Sequence, residues 1–180
     1  MEAFNMPKLR KMLNDVNADY IQSFMRLIET QSKETIAKWC ISYVEANLLP
    51  LWVQEFPKDT RPVVTLAVMH DYLNGKIKLL DAKKQISECR AAAREADGNH
   101  IAQGAARTID AAASTIHNPT GSISIAFYGA LTIAYAKKGL YAPWEELEKT
   151  AIEECLKMQE SFANVAIVDE PNPAKINWNC

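Results

Sequence analysis

The chain of 180 residues is long enough for one domain that buries a substantial core without disulfide or metal cross-links. Hydrophobic residues make up 48% and charged residues 23%, a composition that excludes disorder throughout the chain. The net charge of −2 and the pI near 5.9 argue against a general nucleic-acid-binding protein, because such proteins usually carry a basic excess.

Apolar residues recur at helical spacing from the start of the chain, and no segment alternates as a strand would. The pattern predicts a short helix near 7–13, followed by a helix that Asn17 caps. Ser32 is predicted to cap a third helix, whose apolar stripe runs to Leu48. Pro50 should then end or kink that helix, because proline lacks the amide donor that a helix interior requires.

Cap and turn residues divide the middle of the chain in the same way. Either Asp59 or Thr60 is predicted to cap a helix that ends at the Asn-Gly pair of residues 74–75. Asp81 and Asn99 are predicted to cap the two helices that follow. Both of these helices are rich in alanine, so we expect them to pack closely against each other.

No Asp, Glu, Lys or Arg occurs between Ala111 and Ala136, but the turn at 117–121 interrupts this stretch. The remainder is too short for a membrane span, which needs about 20 apolar residues. It predicts an uncharged helix over 122–138, ended by Gly139 and central to a bundle. Pro143 is predicted to open a last long helix.

Short links between successive helices make neighbouring helices antiparallel. The predicted fold class is therefore all-α, a compact bundle of antiparallel helical hairpins with about seven to eight helices. A short α-solenoid is the alternative, and the absence of a repeated sequence motif favours the bundle. We expect one helical domain over 1–163 and an extended tail over 164–180, which contains two prolines and Trp178.

The cysteines and the N-terminal sequence indicate where the protein works. Cys40, Cys89 and Cys155 fall on apolar helix stripes, where free cysteine behaves as a small hydrophobic residue. No pair has C-x-x-C spacing, and the first residues lack the apolar core of a signal peptide. These features predict a cytoplasmic protein, because the cytoplasm keeps thiols reduced.

The sequence shows no pattern that predicts catalysis or metal binding. His70, His100 and His117 are far apart, and none has a metal-ligand partner three or four residues away. Glycine-rich phosphate loops and hydrolase motifs are also missing from the sequence. We therefore predict a protein that is not an enzyme, with no catalytic residues, no metal and no cofactor.

The charge is distributed unevenly along the chain. Residues 1–142 sum to +3, whereas residues 143–170 sum to −6. One interpretation is a solvated helix face whose first acids suit the helix dipole. The other is an acidic surface for a basic partner, with these candidate contacts: Glu145, Glu146, Glu148, Glu153 and, in the turn before the uncharged helix, His117.

Several short motifs follow one another in order between Trp39 and Phe162. They are Trp39-Cys40, Leu48-Leu49-Pro50-Leu51, Asp59-Thr60-Arg61-Pro62, Leu73-Asn74-Gly75-Lys76-Ile77, Arg90-Ala91-Ala92-Ala93-Arg94, Ala105-Ala106-Arg107 and Ala111-Ala112-Ala113 with His117. In this order, over about residues 39–162, the chain resembles the bacterial Imm-5-like immunity proteins of polymorphic toxin systems.

The resemblance implies an all-α protein that neutralises a cognate toxin protein by direct binding and occlusion, without catalysis. Neither nucleic acid nor a membrane is an expected partner, and self-association into a homo-oligomer stays open. The alternative is a helical binding or scaffold module. A small-molecule pocket lined by Trp39, Tyr43 or Tyr128 would indicate this alternative.

The resemblance also assigns structural roles to the following motif residues: Asp59, Arg61, Pro62, Arg90, Arg94 and Asp110. The family pattern places histidines near residues 90 and 110, where this chain has Arg90 and Asp110. This departure implies that Arg90 and Asp110 face each other as a buried ion pair between the two alanine-rich helices.

Overall fold

The computed structural model describes residues 8–179, which form helices and no strand. The all-α prediction is thus confirmed. The main helices are α1 (Asp19–Ile28), α2 (Lys33–Asn47), α3 (Leu49–Glu55), α4 (Arg61–Leu73), α5 (Leu79–Glu95), α6 (His100–Ser114), α7 (Ser122–Ser124), α8 (Ala130–Lys138) and α9 (Trp144–Val165).

Local capping chemistry places several helix ends where the sequence predicts them. The Ser32 side chain accepts a hydrogen bond from the Thr35 amide at 3.2 Å, and Asn99 accepts one from the Ala102 amide at 3.0 Å. Pro50 lies in the first turn of α3, directly after the break at Leu48. Each cap side chain and the amide that donates to it lie within one turn of chain, so the local sequence decides where these helices begin.

The predicted helix near 7–13 is wrong over its described part, since residues 8–13 are not helical, and Pro7 lies outside the described residues. Instead, the Arg10 carbonyl accepts a hydrogen bond from the Tyr135 hydroxyl at 3.0 Å. The Leu13 amide donates to the Phe127 carbonyl at 3.0 Å. A helix of seven residues is unstable on its own, so these bonds to the rest of the protein determine the conformation.

Two predicted caps are also wrong. Ala18, not Asn17, precedes α1, and α5 begins at Leu79, so that Asp81 lies inside its first turn. An acidic side chain in the first turn stabilises a helix through its dipole without capping it. An Asp near a helix start therefore does not identify the cap residue. At α4, Thr60 holds the cap position, and its side chain makes no capping hydrogen bond.

Helix α6 lies at the centre of the fold. It packs against α2, α3, α4, α5 and α8, and residues on all its sides are buried. In a solenoid each repeat contacts only its neighbours, so this arrangement is that of a bundle. The two alanine-rich helices, α5 and α6, are neighbours as expected, and the Gln103 side chain donates to the Ala93 carbonyl at 2.9 Å across them.

The uncharged segment forms one continuous helical run, in which a π-helical turn (Ile125–Gly129) joins α7 to α8. The run ends at Gly139, whose φ of +93° is a conformation that residues with a side chain rarely adopt. No helix within residues 8–179 combines the length and apolar composition that crossing a membrane requires.

Two glycine–threonine contacts bring α6 close to this uncharged run. A Cβ atom built on Gly104 would lie 2.2 Å from the Thr132 hydroxyl oxygen, and one built on Gly129 would lie 2.9 Å from the Thr108 methyl carbon. Each helix thus contributes one glycine and one threonine to the contact. Their backbones could not pack this closely if either glycine carried a side chain.

The segment after α9 packs on the first two helices. The Ala174 amide donates to the Gln31 carbonyl at 2.8 Å, and the Gln31 side chain bonds both the amide and the carbonyl of Ile167. Glu170 accepts from the Ser32 amide at 2.6 Å and from the hydroxyls of Ser32 and Thr35. Residues 166–179 thus contribute a carboxylate to the N-terminus of α2.

We expect Glu170→Ala to loosen this tail and the first turn of α2 by about 1 kcal/mol, the usual contribution of a cap. Amide hydrogen exchange at Ala174 should become about fivefold faster, while exchange at Ile109 in the core should not change. Lys175→Ala, an exposed change in the same segment, is the matched control. Unchanged exchange at Ala174 would contradict a role for Glu170.

Acid should release the tail in the same way. Burial alone would raise the pKa of Glu170, but the hydrogen bonds from Thr35 and Ser32 hold that pKa below its usual value. Since the folded pKa is the lower one, the stabilisation is complete above the unfolded pKa of about 4.3 and is lost as the pH falls through the folded pKa.

Candidate functional site

The four acidic candidates lie on the first half of α9, outside its buried face. That buried face consists of Leu147, Thr150, Ala151, Glu154, Cys155, Met158 and Phe162. Glu145, Glu146, Glu148 and Glu153 are all exposed, and none makes an ion pair with another residue of the range 8–179. These carboxylates are therefore free to face a partner.

Their arrangement follows from helix geometry. Glu146 and Glu153 are seven residues apart, so they lie on one line along the outer face, about 10 Å from each other. Glu145 and Glu148 are three residues apart on the side of the helix nearer α1. The rigid helix holds all four charges at fixed separations.

Helix α1 and the loop before it extend this acidic region. Burial, with the charges of Asp15 and Glu148 among the further causes, raises the pKa of the Tyr20 hydroxyl to about 12. Both carboxylates thus act electrostatically on this hydroxyl. Asp15 is exposed and belongs to the same side of the molecule, although the sequence pattern did not single it out. We call Asp15, Glu145, Glu146, Glu148 and Glu153 the acidic surface.

A single stacked cation borders the acidic surface at the start of α9. The Arg10 guanidinium carbon lies 3.9 Å above the centre of the Trp144 ring. This cation–π contact fixes the segment before α1 to the first residue of α9.

Glu154 has a different environment from the other acidic residues of α9. Only 6% of its surface is exposed, and its carboxylate accepts hydrogen bonds from the ammonium groups of Lys137 and Lys157. Burial alone would raise the pKa of Glu154, but the two lysines lower it. This cluster was not predicted, although an acid on the apolar stripe between Ala151 and Met158 is a detectable signal.

His117 lies apart from the acidic surface. Burial and the nearby cations Lys83, Arg90 and Lys33 lower the pKa of His117, and Asp110 of α6 opposes them. The charges that act on this histidine therefore come from α2, α5 and α6. Its Nδ1 atom is buried and has no hydrogen-bond partner within residues 8–179. The structure therefore does not bring together the acidic candidates and His117.

The motif Asp59-Thr60-Arg61-Pro62 ties the start of α4 to the end of α5. The Arg61 guanidinium donates to both oxygens of Asp59, at 2.9 and 2.6 Å, and also to Glu95 at 2.6 Å. The guanidinium holds the pKa of Asp59 below its usual value. Pro62 is buried in the first turn of α4. These contacts join elements of the fold and form no cleft.

Arg90 and Asp110 do face each other across α5 and α6, with Nε–Oδ2 and Nη2–Oδ1 distances of 3.0 and 3.1 Å. The expected burial is wrong, because the Arg90 side chain is 51% exposed and that of Asp110 is 19% exposed. The pair lies at the edge of the alanine-rich contact, where water screens it. Such a pair contributes about 0–1 kcal/mol. Arg94, one turn further on, is exposed and has no ionic partner among the described residues.

The remaining reactive groups give no sign of a metal centre or of an activated thiol. Within residues 8–179, no three His, Cys, Asp or Glu side chains are placed to share a metal ion. Cys40, Cys89 and Cys155 are buried and unpaired, and burial raises the pKa of the Cys89 and Cys155 thiols to about 12. Such thiols stay protonated and unreactive at neutral pH.

Comparison with known proteins identifies the family of the chain. The family model described as "Imm-5 like putative immunity protein" covers residues 26–161, about three quarters of the chain. The match begins in α1, ahead of the motif at Trp39, and it ends near the end of α9. No curated protein and no solved structure matches the chain.

Proposed function

Since the chain belongs to the Imm-5-like family of immunity proteins, we propose that it neutralises a cognate toxin by binding it directly and covering the surface with which the toxin acts. The observation that carries this proposal is the acidic surface, which consists of four exposed carboxylates on α9 and a fifth, Asp15, in the loop before α1. We expect this encounter to occur in the cytoplasm.

The charge of this surface indicates the kind of toxin it fits. A toxin that acts on nucleic acid needs a basic cleft to hold phosphates. An acidic surface is complementary to such a cleft, draws the two proteins together from a distance and competes with the phosphates. The acidic charges of α9 are local, because the whole chain carries only −2. We therefore propose a basic active cleft, as in a nuclease, as the surface that is covered.

The surroundings of the titratable groups support binding over catalysis. The carboxylates Asp59 and Glu154, whose pKa values are lowered, are held in ion pairs, and the three described thiols are buried. A nucleophile next to an oriented base would be the usual sign of catalysis. Occlusion requires only a complementary surface, which this protein provides.

Co-expression tests the proposal directly. The toxin encoded beside the gene should stop growth when expressed alone and should be harmless when this protein is present. With purified proteins, inhibition should be complete at one equivalent and should not deepen with time. Killing that is unaffected by this protein would refute the proposal. Progressive inactivation of toxin by a small fraction of an equivalent would replace occlusion with catalysis.

A further inference from the structure

Residues 8–17 form a non-helical segment, the strap, which a single residue fastens to three helices. The Arg10 carbonyl accepts two hydrogen bonds, from the Tyr135 hydroxyl of α8 at 3.0 Å and from Nε2 of His100 at the start of α6 at 2.9 Å. The Arg10 guanidinium lies on the ring of Trp144, the first residue of α9. The position of the strap therefore depends on the state of the groups that hold Arg10.

One of these groups, His100, can change its charge near neutral pH. A carbonyl oxygen can only accept, so the neutral imidazole must carry its proton on Nε2 and donate it to Arg10. Acid adds a second proton at Nδ1 and leaves the Nε2 donor in place. Protonation of His100 therefore acts on the strap through the new charge and not through the loss of a hydrogen bond.

The surroundings of His100 oppose that charge. His100 is the first residue of α6, where the helix dipole disfavours a cation. Burial, Arg107 of α6 and Lys11 of the strap all lower the pKa of His100, and the hydrogen bond to the Arg10 carbonyl offsets them only in part. A protonated His100 under the closed strap thus lies among like charges.

No carboxylate among residues 8–179 raises the pKa of His100. The ring of Tyr135 lies edge-on at 4.9 Å from that of His100, and burial raises the pKa of the Tyr135 hydroxyl, so it stays neutral. Glu55 of α3 binds the Asn99 side chain at 2.8 Å, and Asp97 is exposed in the link before α6, but neither contributes to the shift. A charged His100 therefore has no counter-ion in this part of the fold.

We propose that the strap is a pH-sensitive device, which neutral His100 holds closed and which acid opens by placing a charge next to Lys11 and Arg107. When the strap opens, Lys11 moves away and the imidazole gains water, so the pKa of His100 returns towards its ordinary value of about 6.5. The open form then binds a proton more readily than the closed form. The stabilisation of the closed strap is therefore complete above about pH 6.5 and is lost as the pH falls through the lower pKa of the closed form.

Opening also changes the acidic surface, because Asp15 belongs to the strap. The Asp15 carboxylate would leave its fixed position, and the Arg10 cation would leave Trp144. Any effect of this change on toxin capture rests on the proposed function, whereas opening is a property of this chain alone. The experiment therefore uses the protein without a toxin, and its failure would leave the proposed function untouched.

Amide hydrogen exchange at Leu13 measures opening, because this amide donates to the Phe127 carbonyl at 3.0 Å when the strap is closed. Each rate is divided by that of an unstructured amide at the same pH, which removes the intrinsic effect of pH on exchange. Protection at Leu13 should fall about fivefold or more between about pH 7.5 and about pH 5.5, while protection of Ile109 in the core should not change. Constant protection at Leu13 would overturn the proposal.

Two matched variants test whether His100 causes this response. His100→Gln keeps an N–H donor for the Arg10 carbonyl and cannot take up a proton, so protection at Leu13 should no longer depend on pH. His117→Gln makes the same substitution at another histidine whose pKa is lowered, and it should keep the full response. A response that persists in His100→Gln, or that disappears in His117→Gln, would refute the proposal.

Titration of the imidazole by nuclear magnetic resonance is the second measurement. The pKa of His100 should lie below about 6.5 in the wild type. Tyr135→Phe removes one of the two hydrogen bonds to the Arg10 carbonyl, loosens the strap and should raise the pKa of His100 towards that value. A wild-type pKa at or above about 6.5 would contradict the proposal, and so would an unchanged pKa in Tyr135→Phe.

Discussion

Reversing two charges of the acidic surface, with Glu145→Lys and Glu148→Lys together, should slow association with the toxin by about tenfold or more at low ionic strength. The double change adds four units of positive charge where attraction to a basic cleft is proposed. Lysine favours helices as glutamate does, and both positions are exposed, so the fold should not change. Stopped-flow measurement of the association rate against salt concentration is the experiment.

The wild-type rate should fall as salt rises, whereas the variant should show a weaker salt dependence. Glu88→Lys with Asp97→Lys makes the same change of charge on the exposed side of α5 and beyond its end, and it serves as the control. If both double variants slow association equally, only the net charge matters. If the α9 variant binds at the wild-type rate in low salt, the acidic surface is merely solvated and the contact lies elsewhere.

Gly104→Ala should lower the free energy of unfolding by about 2 kcal/mol, within the usual cost of overpacking. The new Cβ atom would lie 2.2 Å from the Thr132 hydroxyl oxygen and within 3.3 Å of two more atoms of the same side chain. Rotation of Thr132 cannot relieve all three contacts, so α6 and α8 must move apart. Thermal or urea unfolding followed by circular dichroism measures the loss.

Removal of the opposing atoms should rescue this variant. Thr132→Ala alone loses the hydrogen bond from its hydroxyl to the Tyr128 carbonyl, and it should cost about 1 kcal/mol. The double variant should be more stable than Gly104→Ala alone, which a double-mutant cycle would record as coupling. Alanine favours a helix by about 1 kcal/mol over glycine. If the helix preference of alanine outweighs the clash, Gly104→Ala alone will be more stable than the wild type. That result would show that the contact between residue 104 and Thr132 is loose.

Helix positions were predictable where one turn of chain decides them. Ser32 and Asn99 cap their helices through amides three residues away, and Gly139 ends α8 by its own conformation. The helix prediction failed where groups far away in the sequence determine the backbone conformation. Residues 8–13 are held by bonds to Phe127 and Tyr135, which no local pattern reveals.

The candidate site also has features that the sequence predicts and features that depend on distant groups. The exposure of the α9 glutamates follows from helical periodicity, because the apolar stripe fixes which side faces the core. An acid on the apolar stripe of α9 signals that Glu154 has a partner, but that partner could not be identified from the sequence, since Lys137 reaches Glu154 from another helix. The burial expected for Arg90 and Asp110 failed because facing each other does not place two side chains in the interior, and Arg90 extends into water at the helix edge.

The carboxylate that closes the start of α2 has a consequence for how the protein is made. Glu170 is synthesised 138 residues after Ser32, so the first turn of α2 has only its Ser32 cap while the ribosome makes everything between them. A nascent chain stalled before residue 170 would contain every main helix of the fold and still lack this closure. Proteases should therefore cleave the start of α2 faster in such truncated chains than in chains that include Glu170.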